Sequence, residues 1–298
     1  MRALSAFAIC RQLLLISWLA SSAYANEPTS MTWVLSDRPP GFIIKDGKPT
    51  TGQNDIYLKL IIARWPETEH RFVVMSIPRA NSELRNGSQL CRPNLIPTPE
   101  RETFAFFTLT HMQLPEEVII RRDSASKVPL NVQGEVMLER LIQQPNLKGI
   151  VAAGRSHSPQ IARLLAAHSK DSNIQTALSL PSNGGLFKLL QLVRADYTLD
   201  FEQEFLYHHD DGLINLPIAG AAMVPVGIAC PRTAWGRVAV MKIDQLLSEV
   251  VADPRYRQAQ ERWISPESLR RYQSQLDDFY RLRARATDPA RYTLSPVR

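Results

Sequence analysis

Residues 147–159 read Leu-Lys-Gly-Ile-Val-Ala-Ala-Gly-Arg-Ser-His-Ser-Pro and combine a strand, a turn and the start of a helix. The apolar run at 147–153 has the length of a buried strand. Ser158 and Pro159 are typical of an N-cap and a first helical position, and Gly154 in the turn allows a ligand to approach the backbone closely. The stretch therefore predicts one strand–turn–helix unit of an α/β fold.

The same alternation of short apolar runs and helical patterns continues along the whole chain. Strands are predicted at 31–35, 71–75, 103–108, 117–121, 173–180, 197–206 and 219–229. Helices are predicted from a cap at Asn54 or Asp55, from Pro78, over 135–144, 186–193, 238–251 and 256–263, and after Pro266. The tail beyond Ala286 lacks periodicity and is predicted to fray.

The N-terminus has the pattern of a removable export signal. Two arginines, Arg2 and Arg11, precede an apolar run at 13–20, and Ala23-Tyr24-Ala25 fits a signal-peptidase site. The apolar run is too short for a transmembrane helix. Cleavage after Ala25 predicts a periplasmic protein of 298 − 25 = 273 residues, a length typical of two domains.

Charge and cysteine content narrow the classes of partner. The formal charge of +6 falls to +4 without Arg2 and Arg11, and the basic residues are scattered, which predicts no nucleic-acid binding. The mature chain keeps Cys91 and Cys230, and an oxidising compartment favours one disulfide. Two buried free thiols remain the alternative at this point.

Two segments contain the groups that commonly capture an anion. Arg101 follows a predicted strand and precedes an aromatic run, and the 154–159 turn starts a helix. A guanidinium can bind a carboxylate with two parallel hydrogen bonds, and free amides at a helix start attract negative charge. Together they predict an anion site.

Several short motifs follow one another along the mature chain: Pro40, Gly47, Gly52, Asp55, Leu84, Gly87, Thr98, Glu100, Arg101, Phe107-Thr108, 118–124, 154–156, Arg194-Ala195-Asp196 and 225–229. Their order and spacing resemble the family 3 extracellular solute-binding proteins, the periplasmic receptors for polar amino acids and related solutes. Cys91, Cys230, Arg155-Ser156 and Trp235-Gly236 carry a closer resemblance to an uncharacterised two-cysteine branch of that family.

The resemblance implies a periplasmic binding protein-like α/β fold of two lobes, with mixed, mostly parallel sheets joined by a hinge of two crossings. The crossings are expected near 116–123 and 218–226. Residues 26–117 and 223–298, including a basic tail, would form lobe one, and residues 118–222 lobe two. Cys91 and Cys230 would then form a disulfide within lobe one.

The resemblance also implies ligand-binding residues. Arg101 corresponds to the arginine that binds the ligand carboxylate, Thr98 to a neighbouring hydroxyl, and Ser156 with the adjacent Arg155 to the turn of lobe two. Two further residues are candidates for the cleft, Arg79 at a helix start and Phe42 beside a strand end.

One position departs from the amino-acid receptors of the family. Where they carry an acidic residue for the ligand's ammonium group, this chain has Phe201, and the flanking Asp200 and Glu202 are expected on the opposite face of a strand. The predicted function is therefore capture of a small anionic or zwitterionic solute by a monomer that serves a membrane transporter or a sensor. No cofactor and no metal is predicted, since the His-His-Asp-Asp run at 208–211 lacks the usual ligand spacing.

Two other functions remain open. A dehydratase-like enzyme on the same scaffold would need an acid or base in the cleft, for which Glu100 and His157 are the candidates. A receptor with a degenerate pocket would bind a protein partner instead of a solute.

Overall fold

The computed structural model describes residues 27–170, 173–178, 184–208 and 210–294. The predicted signal peptide, residues 1–25, lies outside these ranges, as do His209 and part of the strand predicted at 173–180. In the part of the chain that is described, no helix is both long enough and apolar enough to cross a membrane.

Strands and helices alternate as the sequence predicts. The strands are β1 Ser30–Leu35, β2 Ile44–Lys45, β3 Lys48–Pro49, β4 Glu69–Val74, β5 Arg92–Leu95, β6 Ala105–Gln113, β7 Glu116–Arg121, β8 Gly149–Ala152, β9 Ile174–Ala177, β10 Tyr197–Phe201, β11 Leu213–Pro217 and β12 Val224–Pro231. The helices are α1 Gln53–Ala63, α2 Ile77–Arg85, α3 Pro99–Glu102, α4 Leu138–Ile142, α5 Pro159–Ala167, α6 Gly184–Gln191, α7 Glu202–His208, α8 Ala234–Val250, α9 Pro254–Glu261 and α10 Pro266–Arg283.

Lobe one contains both ends of the described chain. Its strands lie in the order β4, β1, β5, β12, β6, because β1 pairs with β4, Trp33 of β1 bridges Cys91 beside β5, and β12 lies between β5 and β6. Helices α1, α8 and α9 cover one face. The core between them is apolar and aromatic, and its fully buried residues include Trp33, Tyr57, Trp65 and Tyr256.

The start of α1 is held by a carboxylate, as the sequence indicates. Asp55 Oδ2 accepts hydrogen bonds from the amides of Gly52 at 2.7 Å, Thr50 at 3.0 Å and Ile43 at 3.1 Å. Asp55 stands in the first turn, so its negative charge also lies at the favourable end of the helix dipole. The contact ties the short β2–β3 hairpin to the helix.

Lobe two is a five-stranded sheet in the order β11, β7, β10, β8, β9. Strands β8 and β9, and β8 and β10, pair in parallel, whereas β7 pairs antiparallel with β10 and β11. Separate apolar clusters cover its two faces, one around Val118 and Leu199 and the other around Ile119 and Leu186. The sheets are mixed as predicted, but parallel pairs are fewer than expected because each crossing strand pairs antiparallel with its neighbours.

The chain passes between the lobes twice. The first passage is at Leu114 and Pro115, between β6 and β7, and the second lies between β11 and β12. Leu114 is buried. Proline has no amide donor for a ladder, so Pro115 interrupts pairing where the chain leaves one sheet for the other.

The predicted disulfide is confirmed. Cys91 and Cys230 are bonded, with their Cα atoms 4.4 Å apart and a separation of 139 positions in the sequence. Both cysteines belong to the core of lobe one.

Three predicted segments differ clearly from the structure. Of the strand predicted at 219–229, only the part from Val224 onward is strand, as β12, and residues 219–223 lie outside it. The extended segment predicted at 197–206 is strand β10 only as far as Phe201, and helix α7 follows with Glu202 and Glu204 in its first turn, where acidic residues favour a helix start. The tail does not fray directly after Ala286. Thr287 donates its amide to Asp244 Oδ2 at 2.6 Å, and Tyr292 is buried in the lobe-one core.

Candidate functional site

A cavity of about 60 Å³ lies between the lobes. Lobe one lines it with three arginines, Arg38, Arg92 and Arg101, together with Ile77 and residues 94–96. Lobe two lines it with the turn at 154–156 and with Phe201, Gln203 and Glu204 from the junction of β10 and α7. The lobe-one side is therefore cationic, and the lobe-two side combines one arginine, Arg155, with one lining carboxylate, that of Glu204.

The helix α3 positions Arg101 at the cavity. Thr98 Oγ1 caps this short helix by accepting the amide of Arg101 at 3.3 Å. One end of the guanidinium, Nη1, donates to the carbonyl of Ile96 at 2.9 Å, and Arg101 as a whole is 7% exposed. Thr98 does not line the cavity. Its hydroxyl instead holds the backbone of Arg101 by capping the helix.

Arg92 is a second buried guanidinium of lobe one, at the first position of β5. Its Nη1 donates to Asn81 Oδ1 at 2.5 Å. Burial, together with repulsion from Arg101 and Arg38, lowers the pKa of Arg92 to about 9. Burial also lowers the pKa of Arg101.

Neither of these guanidinium groups has an acidic partner among the described residues, where no carboxylate oxygen lies within 4 Å of Arg92 or Arg101. Glu100, the neighbour of Arg101 in sequence, instead pairs with Arg85 at 2.9 Å on the exposed side of α3. Two buried positive charges thus face the cavity without a carboxylate of the described chain in contact with them, although Glu100 acts on Arg101 from a greater distance.

The acidic side of the cavity is already bound by arginines. Arg155 Nη2 lies 2.5 Å from Asp200 Oδ1, and Arg38 Nη2 lies 3.0 Å from Glu204 Oε1 and 3.6 Å from Asp200 Oδ1. Because Arg38 belongs to lobe one and both carboxylates to lobe two, the two ion pairs of Arg38 join the lobes across the cleft, whereas the Arg155–Asp200 pair lies within lobe two.

The two carboxylates respond differently to their surroundings. Burial alone would raise the pKa of Asp200, but the adjacent guanidinium groups of Arg155 and Arg38 hold it below its usual value. Burial and repulsion from Asp200 raise the pKa of Glu204 to about 7. One of the pair is therefore firmly ionised, and the other exchanges its proton near neutral pH.

Several buried polar atoms at this site lack a hydrogen-bond partner in the described part of the chain. They are Nε and Nη1 of Arg155, Oδ2 of Asp200 and Oε2 of Glu204. Buried polar groups are normally paired because leaving them unpaired costs about 1–3 kcal/mol each. The site thus has hydrogen-bonding capacity that a polar ligand can use.

The turn at 154–159 is organised by a carboxylate that sequence reasoning did not identify. Glu116, at the start of β7, accepts the amide of Ser158 at 2.8 Å, and its other oxygen lies 2.6 Å from His157 Nδ1. The amide of Ser158, the N-cap of α5, is therefore taken by the chain's own carboxylate. Gly154 adopts φ of 73°, which favours glycine, and the turn directs Arg155 and Ser156 to the cavity.

The remaining predicted residues lie elsewhere. Phe42 is in the core of lobe one, 3% exposed, and Arg79 is exposed on α2 and does not line the cavity. His208 belongs to α7, not to a loop, and its ring lies 5.0 Å from that of Phe187. Among the described residues, no group of three or more histidine, cysteine or acidic side chains is arranged to hold a metal ion.

Sequence reasoning does not identify Arg38, Arg92 or Glu204 and places Asp200 in the wrong environment. Arg38 stands in the turn Asp37-Arg38-Pro39-Pro40. The one sequence feature that could have pointed to it is a positive charge just after the strand predicted at 31–35. The alternating pattern places Glu204 in a strand, and the helix that begins at Glu202 brings it beside Asp200 instead.

Solved structures resemble this architecture over most of the chain. A histidine kinase sensor domain with similarity to periplasmic binding proteins aligns with a TM-score of 0.62 and 18% identity, covering 80% of this chain and 97% of the sensor domain. The chain has the fold of a periplasmic binding protein.

Two other structures with the same fold are similar. An ancestral arginine-binding protein bound to arginine gives a TM-score of 0.61 at 16% identity, covering 80% of this chain and all of its own. A putative L-cystine ABC transporter protein from Listeria monocytogenes gives 0.61 at 15% identity, covering 82% and 98%. No family model and no curated protein matches the sequence.

Proposed function

We propose that this protein captures a small anionic solute between its two lobes in the periplasm. The observation that supports the proposal most directly is the pair of buried guanidinium groups, Arg92 and Arg101, that face the cavity without a carboxylate among the described residues. An unpaired buried charge is costly. An anionic ligand would supply the missing charge.

Closure of the lobes would strengthen such binding. Arg101 already uses one end of its guanidinium on the carbonyl of Ile96, which fixes its orientation. A bound anion enclosed by both lobes is shielded from water, and charge-assisted hydrogen bonds are stronger in that environment. The orphan donors of Arg155 would contribute from lobe two.

The partner in this proposal is a membrane transporter or a sensor, and the protein acts as a monomer without a cofactor. The structural neighbours include both a histidine kinase sensor domain and transporter-associated binding proteins, which supports either destination. The export signal at residues 1–25 supports the periplasm as the site of action.

The experiment is a thermal-shift screen of amino acids, dicarboxylates, other small anions, peptides and cell-wall fragments, followed by calorimetry of each hit. A specific ligand raises Tm by mass action. Replacing Arg101 by Gln should weaken the hit at least about 100-fold, since removing one partner of a buried ion pair costs about 3–5 kcal/mol. The exposed Arg140 on α4 provides the matched control, and Arg140→Gln should bind as the wild type does.

Three outcomes would assign another function. Unchanged affinity in Arg101→Gln would discard the anion site, and no shift from any compound would favour a receptor that binds a protein partner. Conversion of the hit on prolonged incubation would indicate an enzyme. The two acid–base candidates are placed unfavourably for that reaction, because Glu100 lies outside the cavity and His157 is bound to Glu116.

A further inference from the structure

The charges at the interlobe cavity do not balance. Four guanidinium groups line it, those of Arg38, Arg92, Arg101 and Arg155. Two carboxylates face these groups: that of Glu204, which lines the cavity, and that of Asp200, which does not line it but pairs with Arg38 and Arg155. Both carboxylates are bound by Arg38 or Arg155. The difference, four minus two, leaves two positive charges, and these belong to Arg92 and Arg101.

The acidic side of the cavity offers two unpaired hydrogen-bond acceptors, Asp200 Oδ2 and Glu204 Oε2, but its negative charge is already compensated by Arg38 and Arg155 and is not left for a ligand ammonium group. Arg38 reaches from lobe one to Glu204 and Asp200, so a guanidinium of the chain itself occupies the position where a ligand cation would find its counterion. A zwitterionic ligand would bring its ammonium group next to Arg38 and Arg155. Its net charge of zero would also leave Arg92 and Arg101 uncompensated.

The size of the cavity limits the ligand. Its volume is about 60 Å³. One water needs about 10–15 Å³, so the cavity in this conformation accommodates about four to six non-hydrogen atoms. Inorganic oxyanions and the shortest dicarboxylate have this size.

We infer that the site selects a compact dianion without an ammonium group, such as a tetrahedral oxyanion or the two-carbon dicarboxylate. This inference rests on the proposed function, solute capture at the arginine side of the cleft. A dianion neutralises both Arg92 and Arg101, whereas a monoanion leaves one of these buried charges unpaired.

Calorimetry with matched ligands tests the charge and the size. The panel contains sulfate, phosphate and oxalate as compact dianions, acetate and glycolate as monoanions, glycine and alanine as zwitterions, and malonate, succinate and glutarate as longer dianions. The buffer is a zwitterionic one at low salt. At least one compact dianion should bind about 100-fold more tightly than any monoanion or zwitterion. Whether the tightest ligand is an oxyanion or a dicarboxylate then identifies the chemical class of the solute.

Different results would overturn the dianion inference and the proposal of solute capture. If an amino acid or a monoanion binds as tightly as the best dianion and loses affinity in Arg101→Gln, solute capture stands and the dianion inference is overturned. Binding of larger anions alone would likewise overturn the dianion inference and leave solute capture standing. If no compound binds in this panel or in the wider screen, both proposals are overturned.

Two variants test the assignment of the charges. Arg92→Gln should lower the ratio of dianion to monoanion affinity at least about tenfold, and Arg140→Gln should leave it unchanged. Arg38→Gln should release Asp200 and Glu204 and raise the affinity for glycine or alanine relative to the dianion at least about tenfold, whereas Arg38→Lys should resemble the wild type. Unchanged ratios in Arg92→Gln and Arg38→Gln, with folding confirmed by circular dichroism, would overturn the inference.

Discussion

Buried arginines in this protein differ by their partners more than by their burial. Arg283 and Arg101 are 5% and 7% exposed. Arg283 donates to Asp244 Oδ1 at 2.8 Å and is neutralised within lobe one, whereas no described carboxylate pairs with Arg101. At the scale of the residue, the absence of an acidic partner among the described residues marks Arg101 and Arg92 as ligand-binding candidates, and burial alone would not.

Glu117 provides a test at the same scale, away from the cavity. It stands in β7, and burial is the main cause that raises its pKa from 4.5 to about 7. The folded state therefore holds its proton more tightly than the unfolded state does. The resulting stability is fully present below about pH 4.5 and is lost as the pH rises through about 7.

We expect Glu117→Gln to be more stable than the wild type at pH 8.5, by about 1 to 3 kcal/mol, because the amide carries no charge to bury. At pH 4.5 the two proteins should differ little. Urea unfolding at both pH values measures the effect, with the exposed Glu249→Gln as the control. An equal difference at the two pH values would contradict the raised pKa.

At the scale of the element, a helix of four residues decides where Arg101 points. The proline at the start of α3 has no amide to satisfy, and the Thr98 hydroxyl satisfies the amide of Arg101. Only three backbone hydrogen bonds hold this turn, donated by the amides of Glu102, Thr103 and Phe104, so the side-chain cap is a large share of its stability. Thr98 therefore positions Arg101, although the family resemblance implies a hydroxyl that contacts the ligand.

Replacement of Thr98 separates these two roles. Thr98→Ala should cost about 0.5–2 kcal/mol of stability and weaken ligand binding several-fold, because the helix cap is lost. Thr98→Asn restores a capping oxygen and should retain wild-type stability and affinity. The measurements are Tm without ligand and calorimetric Kd. An asparagine variant that binds as weakly as the alanine variant would favour direct ligand contact instead.

At the scale of the whole molecule, the disulfide and the cleft are mechanically separate. Cys91 and Cys230 join β5 to β12 within lobe one, and no described contact of this bond crosses to lobe two. The lobes meet instead through the two chain passages, through Arg38, which binds Glu204 and Asp200, and through contacts that α7 makes with Gln113, Ser265, Ser268 and Trp263. Stability of lobe one and closure of the cleft are thus controlled by different bonds.

Removal of the disulfide should therefore destabilise without changing specificity. The double variant Cys91→Ala/Cys230→Ala should lose about 2–5 kcal/mol of unfolding free energy, as a long closed loop implies, while its Kd for the ligand stays within about threefold. Urea unfolding and calorimetry measure the two quantities. Mass analysis of the native protein without reduction should find neither cysteine alkylated. A large loss of affinity, or two free thiols, would contradict this assignment.

Local sequence signals predict the parts of the fold that depend on neighbouring residues. The turn that follows β8 and the start of α5 at Pro159 agree with the structure, since strand length, glycine and proline act within a few positions. Local signals do not locate the β10–α7 junction, because the alternating pattern continues past Phe201. The end of the strand is seen only in the structure, together with the contacts of Asp200 and Glu204.

Residue order alone was enough to establish the α/β architecture, the two cysteines available for a disulfide and the candidate arginine at position 101. The balance of charges in the cleft became visible only in three dimensions. Arg38 and Glu204 are far apart in sequence and meet across the cleft, and Glu116 takes the amide at the start of α5. This division arises because propensity and capping act over one or two helical turns, whereas electrostatic compensation acts through space between groups that the fold brings together.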